Sequence, residues 1–335
     1  MPGGPLTALI MHPVVREELL RTDHLHTLKR CCHLVSDGPL RTFDELGRHL
    51  AQVQVLITSW GCPRVDRDVV AAMPSLKLIA HLAGSVKGFI DESVWRQGVL
   101  ITNAVSANAV PVAEYTLAAI LFTNKRVLQL ADIYQQTHEN RAPWTKEAPN
   151  VGNYMKVIGV IGASHVGRHL ISLLSHFDFK VQICDPYITP LEARQLGAQK
   201  VGLSELMSKS DVVTLHAPLL SDTRAMLGAR EFALMKDGAT FINTARGALI
   251  DQQALIGELK HGRIQAVLDV TDPEVLPATS PLYRMSNVLL TPHIAGSLGT
   301  EIQRLGDTVV EEVERFCRGQ TLKHRVRYDE LARLA

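Results

Sequence analysis

Residues 157–167 read VIGVIGASHVG, and this stretch decides the fold of the chain. An apolar run ends at Gly162, Gly167 follows, and a helical stretch runs from Arg168 to Phe177. A strand, a tight glycine turn and a helix are the framework of a dinucleotide pyrophosphate site, because the helix start offers N–H groups and the positive end of its dipole to the phosphates. The pattern therefore predicts a dinucleotide-binding βα unit, with an ordinary βα turn as the alternative.

Two neighbouring features refine this prediction. A second apolar run, residues 181–184, ends at Asp185, whose carboxylate can accept hydrogen bonds from the adenosine ribose. Ser164 stands where the middle glycine of G-x-G-x-x-G is expected, and its hydroxyl can donate to a phosphate. No arginine or lysine follows Asp185 until Arg194, so a 2′-phosphate lacks a counter-charge there and we expect NAD rather than NADP.

The composition bounds the class of protein. The chain has 335 residues, 46% hydrophobic residues and a net charge of +1, which predicts one large or two ordinary domains and no nucleic-acid or anionic-membrane partner. No apolar run approaches the roughly 20 residues of a membrane span. The N-terminus lacks a basic segment followed by a long apolar core, so we expect no signal peptide and a cytoplasmic location.

The cysteines and histidines give no metal signature. Five scattered cysteines predict reduced thiols in a cytosol-like compartment. Cys31 and Cys32 are adjacent rather than in a C-x-x-C pair, which argues against a zinc or redox site. The sequence has no H-E-x-x-H motif, so we expect no bound metal.

Short apolar runs alternate with helical stretches along the whole chain. This alternation predicts parallel sheets with right-handed crossovers, in which ligands lie beyond the carboxyl ends of the strands. The predicted strands are 6–11, 32–35, 53–58, 76–82, 99–103, 157–161, 181–184, 200–201, 212–215, 240–243, 266–270 and 288–290.

The helical stretches show where the chain changes from one set of strands to the next. Pro111 suits a first helical position and predicts the start of a long helix that runs to about residue 136. Residues 141–153 are loop-like, and residues 300–317 predict a closing amphipathic helix. Further helices are predicted at 13–30, 43–51 and 65–73.

Three polar residues, Arg246, Glu274 and His293, follow predicted strands of the second set. They therefore project towards the sheet edge where the dinucleotide is expected. Arginine can clamp a carboxylate and polarise a carbonyl, and histidine can give that carbonyl its proton. A neighbouring carboxylate favours the imidazolium form of a histidine. The group suits reduction of an oxo acid, unless each residue is an isolated loop residue with a surface partner.

The motifs along the chain resemble those of the D-isomer-specific 2-hydroxyacid dehydrogenase family. In order they are VIGVIGASHVG, DPY at 185–187, TLHAPL at 214–219, INTARGALID at 242–251, LDVTDPE at 268–274 and TPHIAGS at 291–297. The resemblance covers nearly the whole chain. It implies an NAD-dependent enzyme that interconverts a 2-oxo acid and a D-2-hydroxy acid.

The resemblance also implies an architecture. The fold would be α/β, with two doubly wound parallel-sheet domains of flavodoxin or Rossmann type and an active-site cleft between them. Residues 1–110 with 299–335 would form the substrate domain, and residues 111–298 an inserted NAD-binding domain. The helix that links the domains would help to build a homodimer.

The resemblance assigns roles to individual positions. Arg246 would bind the substrate carboxylate and carbonyl, and His293 would be the acid/base with Glu274 as its partner. The implied substrate-binding residues are Ala83, Gly84, Ser85 and Asn108. The implied cofactor-binding residues are Gly162, Ser164, His165, Val166, Gly167, Asp185, His216, Ala217, Pro218, Thr223, Thr244, Ala245, Asp269, Ala295, Gly296 and Val112.

Departures from the family pattern leave the substrate open. The turn at residues 83–85 replaces a G-x-G pattern, and Lys87 stands where an aspartate is usual, which suits a doubly charged substrate or is simply a solvated lysine. Small acids such as glyoxylate and hydroxypyruvate and bulkier or phosphorylated acids all remain possible. An NAD(H)-sensing corepressor-like protein and a phosphite-type dehydrogenase are alternatives, whereas Glu274 argues against a formate dehydrogenase, which carries glutamine there.

Overall fold

The computed structural model describes residues 4–138 and 150–331, so most of the predicted loop at 141–153 lies outside the described residues. The chain divides into two compact units. The first is Met1–Asn108 with Ser297–Ala335, and the second is Ala109–Gly296. The boundaries expected from the sequence lie two residues further along the chain at both junctions.

The first unit contains a five-stranded sheet whose strands are all parallel. Its order, β2-β1-β3-β4-β5, is that of flavodoxin-like doubly wound folds. Every residue of β3 and β4 is buried, as expected for a parallel sheet covered on both faces. The strands are β1 (Leu6–Ile10), β2 (His33–Leu34), β3 (Val55–Thr58), β4 (Leu78–His81) and β5 (Leu100–Asn103).

The early helices are shorter than the sequence predicted. They are α1 (Pro13–Leu19), α2 (Thr22–Cys31), α3 (Arg67–Ala71) and α4 (Ser93–Arg96), with a 3-10 segment at Asp44–Gln52. The single helix predicted over residues 13–30 is wrong, because Leu20 and Arg21 have extended backbones and separate α1 from α2. The α-helix predicted near residues 43–51 is instead a 3-10 segment, kinked at Gly47, which has a φ of 48°.

Two helices follow the first sheet, α5 (Val105–Asn124) and α6 (Val127–Thr137). The prediction that Pro111 opens the long helix is wrong, because Pro111 lies inside α5. The helix begins six residues earlier, where the Asn103 side chain accepts a hydrogen bond from the Val105 N–H. The predicted continuity to residue 136 is also interrupted, since Arg126 adopts a left-handed backbone between the two helices.

Helix α5 corrects the expectation that no segment approaches the length of a membrane span. It has 20 residues and a mean hydropathy of 1.4 over its most apolar window, and 44% of that window is buried within the protein. Core helices of soluble proteins meet the same criteria of length and composition.

The second unit contains a seven-stranded parallel sheet. Its order, β12-β11-β10-β9-β6-β7-β8, is the 3-2-1-4-5-6 order of Rossmann folds with one added strand. The prediction of two doubly wound parallel sheets is therefore confirmed. The strands are β6 (Val157–Ile161), β7 (Lys180–Cys184), β8 (Gln199–Lys200), β9 (Val212–Leu215), β10 (Thr240–Asn243), β11 (Gln265–Leu268) and β12 (Val288–Leu290).

The helices of the second unit alternate with its strands. They are α7 (His165–Leu174), α8 (Pro190–Leu196), α9 (Leu203–Lys209), α10 (Ala229–Leu234) and α11 (Gln252–Lys260). Helix α7 begins at His165 rather than at the predicted Arg168. The last helix, α12 (Gln303–Cys317), belongs to the first unit and buries an apolar face that includes Leu305, Val309 and Val313 in its core.

Candidate dinucleotide and catalytic site

The two glycines of the 157–167 stretch lie where a side chain does not fit. Gly162 ends β6 with a φ of +99°, and a Cβ there would lie 2.7 Å from the backbone nitrogen of Ala217 after β9. A Cβ on Gly167 would lie 2.1 Å from the Gly162 carbonyl oxygen. Strands β6 and β9 are neighbours at the point where the strand order reverses, which is where doubly wound sheets bind dinucleotides.

Ser164 has a structural use that the sequence did not reveal. Its side chain is the N-cap of α7, and Oγ accepts a hydrogen bond of 3.3 Å from the Gly167 N–H. Serine is among the preferred N-cap residues because it pairs one of the N–H groups that a helix start leaves unsatisfied. The substitution of the middle glycine therefore coincides with a well-formed helix N-terminus, and His165 and Val166 occupy the first turn beside it.

The Asp185 carboxylate joins the end of β7 to the glycine turn. Its Oδ2 accepts a hydrogen bond of 2.7 Å from the Ala163 N–H, and its Oδ1 accepts one of 2.7 Å from the Tyr187 N–H. Two cationic side chains donate to backbone carbonyls in the same two segments. Arg168 Nε donates to the Ala163 carbonyl at 2.8 Å, and Lys200 Nζ donates to the Ile188 carbonyl.

The predicted cofactor residues after β9 lie in a loop whose backbone packs against the glycine turn. The His216 ring is buried, contacts the Thr214 hydroxyl at 2.8 Å, and its burial lowers the pKa of the imidazole to about 3. Its carbonyl lies against Gly162. The Thr223 hydroxyl donates to the Pro218 carbonyl at 2.6 Å, which closes the loop after Ala217.

A chain of hydroxyl groups connects α5 to the end of β10. Thr116 contacts Thr244 through their hydroxyl oxygens, 3.2 Å apart, and donates to the Val112 carbonyl at 2.7 Å. Asn243 shapes the following turn, because its Oδ1 accepts from the Ala245 N–H and its Nδ2 donates to the Arg246 carbonyl. These contacts fix the backbone from which the Arg246 side chain projects.

Arg246 lies on the exposed side of this turn. Its Nη1 donates to the Ala245 carbonyl at 2.6 Å, and four of the five guanidinium N–H groups lie outside that bond. The turn is pressed against the segment after β11, since a Cβ on Gly247 would lie 2.0 Å from the Thr271 carbonyl carbon. Arg246 therefore sits beside the segment that carries Glu274.

His293 and Glu274 are in direct contact. His293 Nδ1 lies 2.5 Å from Glu274 Oε1, and about half of each side chain is exposed. The backbone of His293 is left-handed, with a φ of 55°, and its N–H donates to the Asp269 carbonyl at 2.9 Å. The hydroxyl of Thr271 holds the Glu274 segment by donating to the carbonyls of Pro273 and Glu274.

Asp269 is a buried carboxylate that organises the loop carrying His293. It accepts hydrogen bonds from the Thr291 hydroxyl at 2.7 Å and from the backbone N–H groups of Ile294 and Ala295 at 2.8 and 2.9 Å. The Thr291 hydroxyl in turn contacts Tyr115 at 2.8 Å. The family resemblance implied a cofactor contact for Asp269, whereas its bonds to this loop, which ends at Gly296, were not predicted.

The residues predicted to bind substrate lie in the first unit, at the carboxyl end of its sheet. Ala83 is buried, and its carbonyl accepts from the Ala104 N–H at 3.0 Å. Gly84 has open space where a Cβ would be, and Ser85 Oγ accepts from the Lys87 N–H at 3.2 Å. Asn108 Oδ1 accepts from the Ser297 N–H at 2.9 Å. Lys87 itself is exposed.

Four residues that shape this site carried no signal of their own in the sequence. Tyr115, Asn243, Thr271 and Thr291 each hold a functional loop through side-chain hydrogen bonds. Asn243, Thr271 and Thr291 lie within the quoted motifs, so their positions were in view. Their partners were not, because each bond depends on how two segments meet in space.

The second unit fits a dinucleotide. The glycine turn leaves room for close backbone approach, α7 directs its N-terminus at that turn, and Asp185 provides ribose acceptors next to it. Residues 117–295 match the NAD-binding domain of the D-isomer specific 2-hydroxyacid dehydrogenase family. The chain belongs to this family. The match confirms the family resemblance, and NAD is the cofactor of the matched domain.

Relatives within the family are named for several hydroxy acids. The chain is 32% identical over 281 residues to the D-3-phosphoglycerate dehydrogenase of Methanocaldococcus jannaschii, covering 83% of this chain and 52% of that protein. It is 29% identical over 258 residues to the glyoxylate reductase of Korarchaeum cryptofilum, covering 76% of this chain and 77% of that protein. The chain spans about half the length of the phosphoglycerate dehydrogenases that it matches.

Solved structures support the same fold. A phosphoglycerate oxidoreductase from Rhizobium etli superposes with a TM-score of 0.83 at 23% identity, covering 97% of this chain and 99% of that chain. At this identity the likeness shows the fold of the dehydrogenase family and no more.

Proposed function

We propose that this protein is an NAD(H)-dependent oxidoreductase that interconverts a 2-oxo acid and a D-2-hydroxy acid. The observation that carries the proposal is the 2.5 Å contact between His293 and Glu274, at the ends of adjacent parallel strands. Arg246 follows the next strand along, so all three side chains lie at one sheet edge. This edge is also the carboxyl edge at which the glycine turn lies.

The contact with Glu274 defines the role of each ring nitrogen of His293. An ionised carboxylate only accepts hydrogen bonds. The ring nitrogen that faces it, Nδ1, is therefore protonated and donates a hydrogen bond to Glu274. Nε2 is then the nitrogen that exchanges a proton with substrate. In reduction it gives a proton to the carbonyl oxygen, and in oxidation it removes the hydroxyl proton.

Arg246 binds the acid. Its planar guanidinium can clamp a carboxylate with two parallel hydrogen bonds and can also polarise the neighbouring carbonyl. The bond to the Ala245 carbonyl limits how the side chain turns. When bound, the nicotinamide supplies or accepts the hydride.

We propose NAD as the preferred form of the cofactor. The Asp185 carboxylate can accept hydrogen bonds from two ribose hydroxyls and would repel a 2′-phosphate. The preference for NAD therefore rests on the Asp185 carboxylate.

The direct test follows NADH absorbance with purified protein and a panel of 2-oxo acids, from glyoxylate and hydroxypyruvate through pyruvate and phenylpyruvate to phosphorylated acids. We expect NADH to be oxidised rapidly with at least one of these acids, and NADPH to be oxidised more slowly with the same acid. In the reverse direction only the D-hydroxy acid should reduce NAD. Tight NADH binding with no turnover of any acid would contradict the proposed activity.

We also propose that the protein is a cytoplasmic homodimer formed through the second unit. An apolar groove of about 360 Å³ lies between α5 and the β11–β12 edge of the sheet. Phe122 and Leu128 line it and are 55% and 54% exposed, so the groove presents a continuous apolar surface that a second copy of the chain can cover. All five cysteines are free, which suits a reducing compartment.

Light scattering during gel filtration tests the dimer. The wild type should elute at twice the chain mass, and Phe122→Glu should elute as a monomer. Thr137→Glu, on the neighbouring helix α6 and outside the groove lining, is the matched control and should remain dimeric. A wild-type protein that is monomeric at all concentrations would contradict the proposed homodimer.

A further inference from the structure

Three cysteines that are far apart in the sequence meet in the first unit. Cys31 Sγ lies 3.6 Å from Cys32 Sγ, which lies 3.7 Å from Cys317 Sγ. All three sulfur atoms lie within 4.8 Å of one another. The sequence argument against a metal used motifs that are local in the chain. The third thiol comes from the last residue of α12, 285 residues after Cys32.

The separations are those of sulfur ligands around one ion. With metal–sulfur bonds of about 2.3 Å, two thiolates on a single ion lie roughly 3.8–4.0 Å apart for tetrahedral or trigonal geometry. The Cys31–Cys32 and Cys32–Cys317 sulfur distances fall short of this by only a few tenths of an ångström. Small side-chain rotations would therefore suffice for all three sulfurs to bind one ion.

The backbone around the cluster is fixed independently of any ion. A Cβ on Gly4 would lie 2.3 Å from the Cys31 carbonyl oxygen, so the N-terminal segment packs tightly on Cys31. The Cys32 N–H donates to the Leu28 carbonyl at 2.8 Å, and the His33 N–H donates to the Pro5 carbonyl at 3.0 Å. The two adjacent cysteines are thus held between the end of α2 and strand β2.

Two of the three cysteines lie at the ends of helices. Cys31 is the last residue of α2, a helix of 10 residues, and Cys317 is the last residue of α12, a helix of 15 residues. Cys32 is buried, whereas Cys31 and Cys317 are half-buried, so an ion can reach the cluster from solvent.

We propose that Cys31, Cys32 and Cys317 form a three-sulfur site for a soft d¹⁰ cation, with Cu(I) favoured over Zn²⁺. Soft thiolate ligands select Cu(I) and zinc among the common ions. Within residues 4–138 and 150–331, no histidine, aspartate or glutamate joins the group as a fourth ligand. Zinc prefers four ligands, and a site that offers three sulfurs favours Cu(I). Binding releases the three thiol protons to solvent as three metal–sulfur bonds form.

Anaerobic titration of the fully reduced protein tests this site. Cu(I) and Zn²⁺ are added separately in competition with a chromophoric chelator, and the ultraviolet thiolate-to-metal band and the melting temperature are followed. We expect one tightly bound Cu(I) per chain and weaker binding of Zn²⁺. The melting temperature should be higher with Cu(I) bound than without it. Cys317→Ser should lower the affinity for Cu(I) by more than the roughly 10–100-fold that is lost when a residue hydrogen-bonded to a metal ligand is removed.

Matched variants separate this site from general thiol binding. Cys62→Ser and Cys184→Ser remove free thiols outside the cluster and should leave Cu(I) affinity unchanged. Cys31→Ser, which changes a half-buried position, repeats the test if Cys317→Ser does not fold. No Cu(I) uptake, uptake that survives both cluster variants, or tighter binding of Zn²⁺ than of Cu(I) would overturn the proposal.

Discussion

The Asp185 carboxylate accepts a hydrogen bond of 2.7 Å from the Ala163 N–H, so the residue proposed to read the ribose also holds the turn that receives the pyrophosphate. One side chain thus connects two parts of the cofactor site. Removing its negative charge should change the preference between NADH and NADPH. Removing its hydrogen-bond acceptors should change the backbone conformation of the turn.

Asp185→Asn separates these two effects. The amide keeps one acceptor for the backbone but loses the negative charge that opposes a 2′-phosphate. We expect NADH to bind about 10–100-fold more weakly, the cost of a hydrogen bond to a charged group. The preference for NADH over NADPH should shrink, because the charge that repels a 2′-phosphate is gone. Fluorescence titration with both cofactors measures this ratio. Asp178→Asn, at an exposed position before β7, is the control.

Ser164 should contribute more to stability than to cofactor affinity. Ser164→Ala removes the N-cap of α7, and we expect a loss of about 1 kcal/mol in the free energy of unfolding, whereas Ser164→Gly should cost only a few tenths. Chemical denaturation of both variants measures the difference. Both variants should bind NADH within a few-fold of the wild type, and a collapse of NADH affinity in Ser164→Ala would show instead that the hydroxyl binds phosphate.

Glu274 is expected to act through His293. Glu274→Gln keeps a hydrogen-bonding group next to Nδ1 but no longer stabilises the charged imidazolium, so kcat should fall by roughly 10²–10⁴-fold. The dissociation constant for NADH should stay the same. Asp272→Asn removes a neighbouring carboxylate that pairs with Arg224 at 3.8 Å and should leave kcat nearly unchanged. Equal losses in the two variants would point to a general charge effect.

The free energy of unfolding should decrease as the pH is lowered, because of a buried histidine in the first unit. Burial lowers the pKa of His81 to about 4, from an ordinary value near 6.5, while its Nδ1 contacts the Thr58 hydroxyl at 2.9 Å. The unfolded chain therefore takes up a proton between about pH 6.5 and 4 that the folded chain does not. This histidine should cost about 3 kcal/mol of stability across that window.

Denaturant titrations at several pH values compare the wild type with His81→Asn. The variant can keep a hydrogen bond to Thr58 and has no titrating ring, so its stability should fall less steeply below pH 6.5. Parallel curves for the two proteins would contradict the assignment. His216, also buried with a lowered pKa, contributes equally to both curves and cancels in the comparison.

Much of the fold was predictable because its signals are local. Strands such as Val212–Leu215 and Thr240–Asn243 are short apolar runs with turn residues after them, and their bounds were predicted to the residue. Helix bounds were less predictable. Pro111 resembles a helix start in sequence, yet the Asn103 side chain starts the helix earlier, and only the packed structure decides between the two.

The site was predictable to the level of motifs and no further. The order of Arg246, Glu274 and His293 after successive strands was visible, because parallel strands end at one edge. The bonds of Asp269 to the loop after β12 and the meeting of Cys317 with Cys31 and Cys32 join segments that are distant in the sequence. No periodicity or spacing in the sequence encodes such contacts.

The central claim is that His293 transfers the proton in an NADH-dependent reduction. The most direct measurement is kcat for His293→Gln with the best 2-oxo acid of the panel, taken together with the NADH dissociation constant of the same variant. We expect kcat to fall by roughly 10²–10⁴-fold while the NADH dissociation constant stays unchanged. A variant that binds NADH and turns over at a rate close to that of the wild type would contradict it.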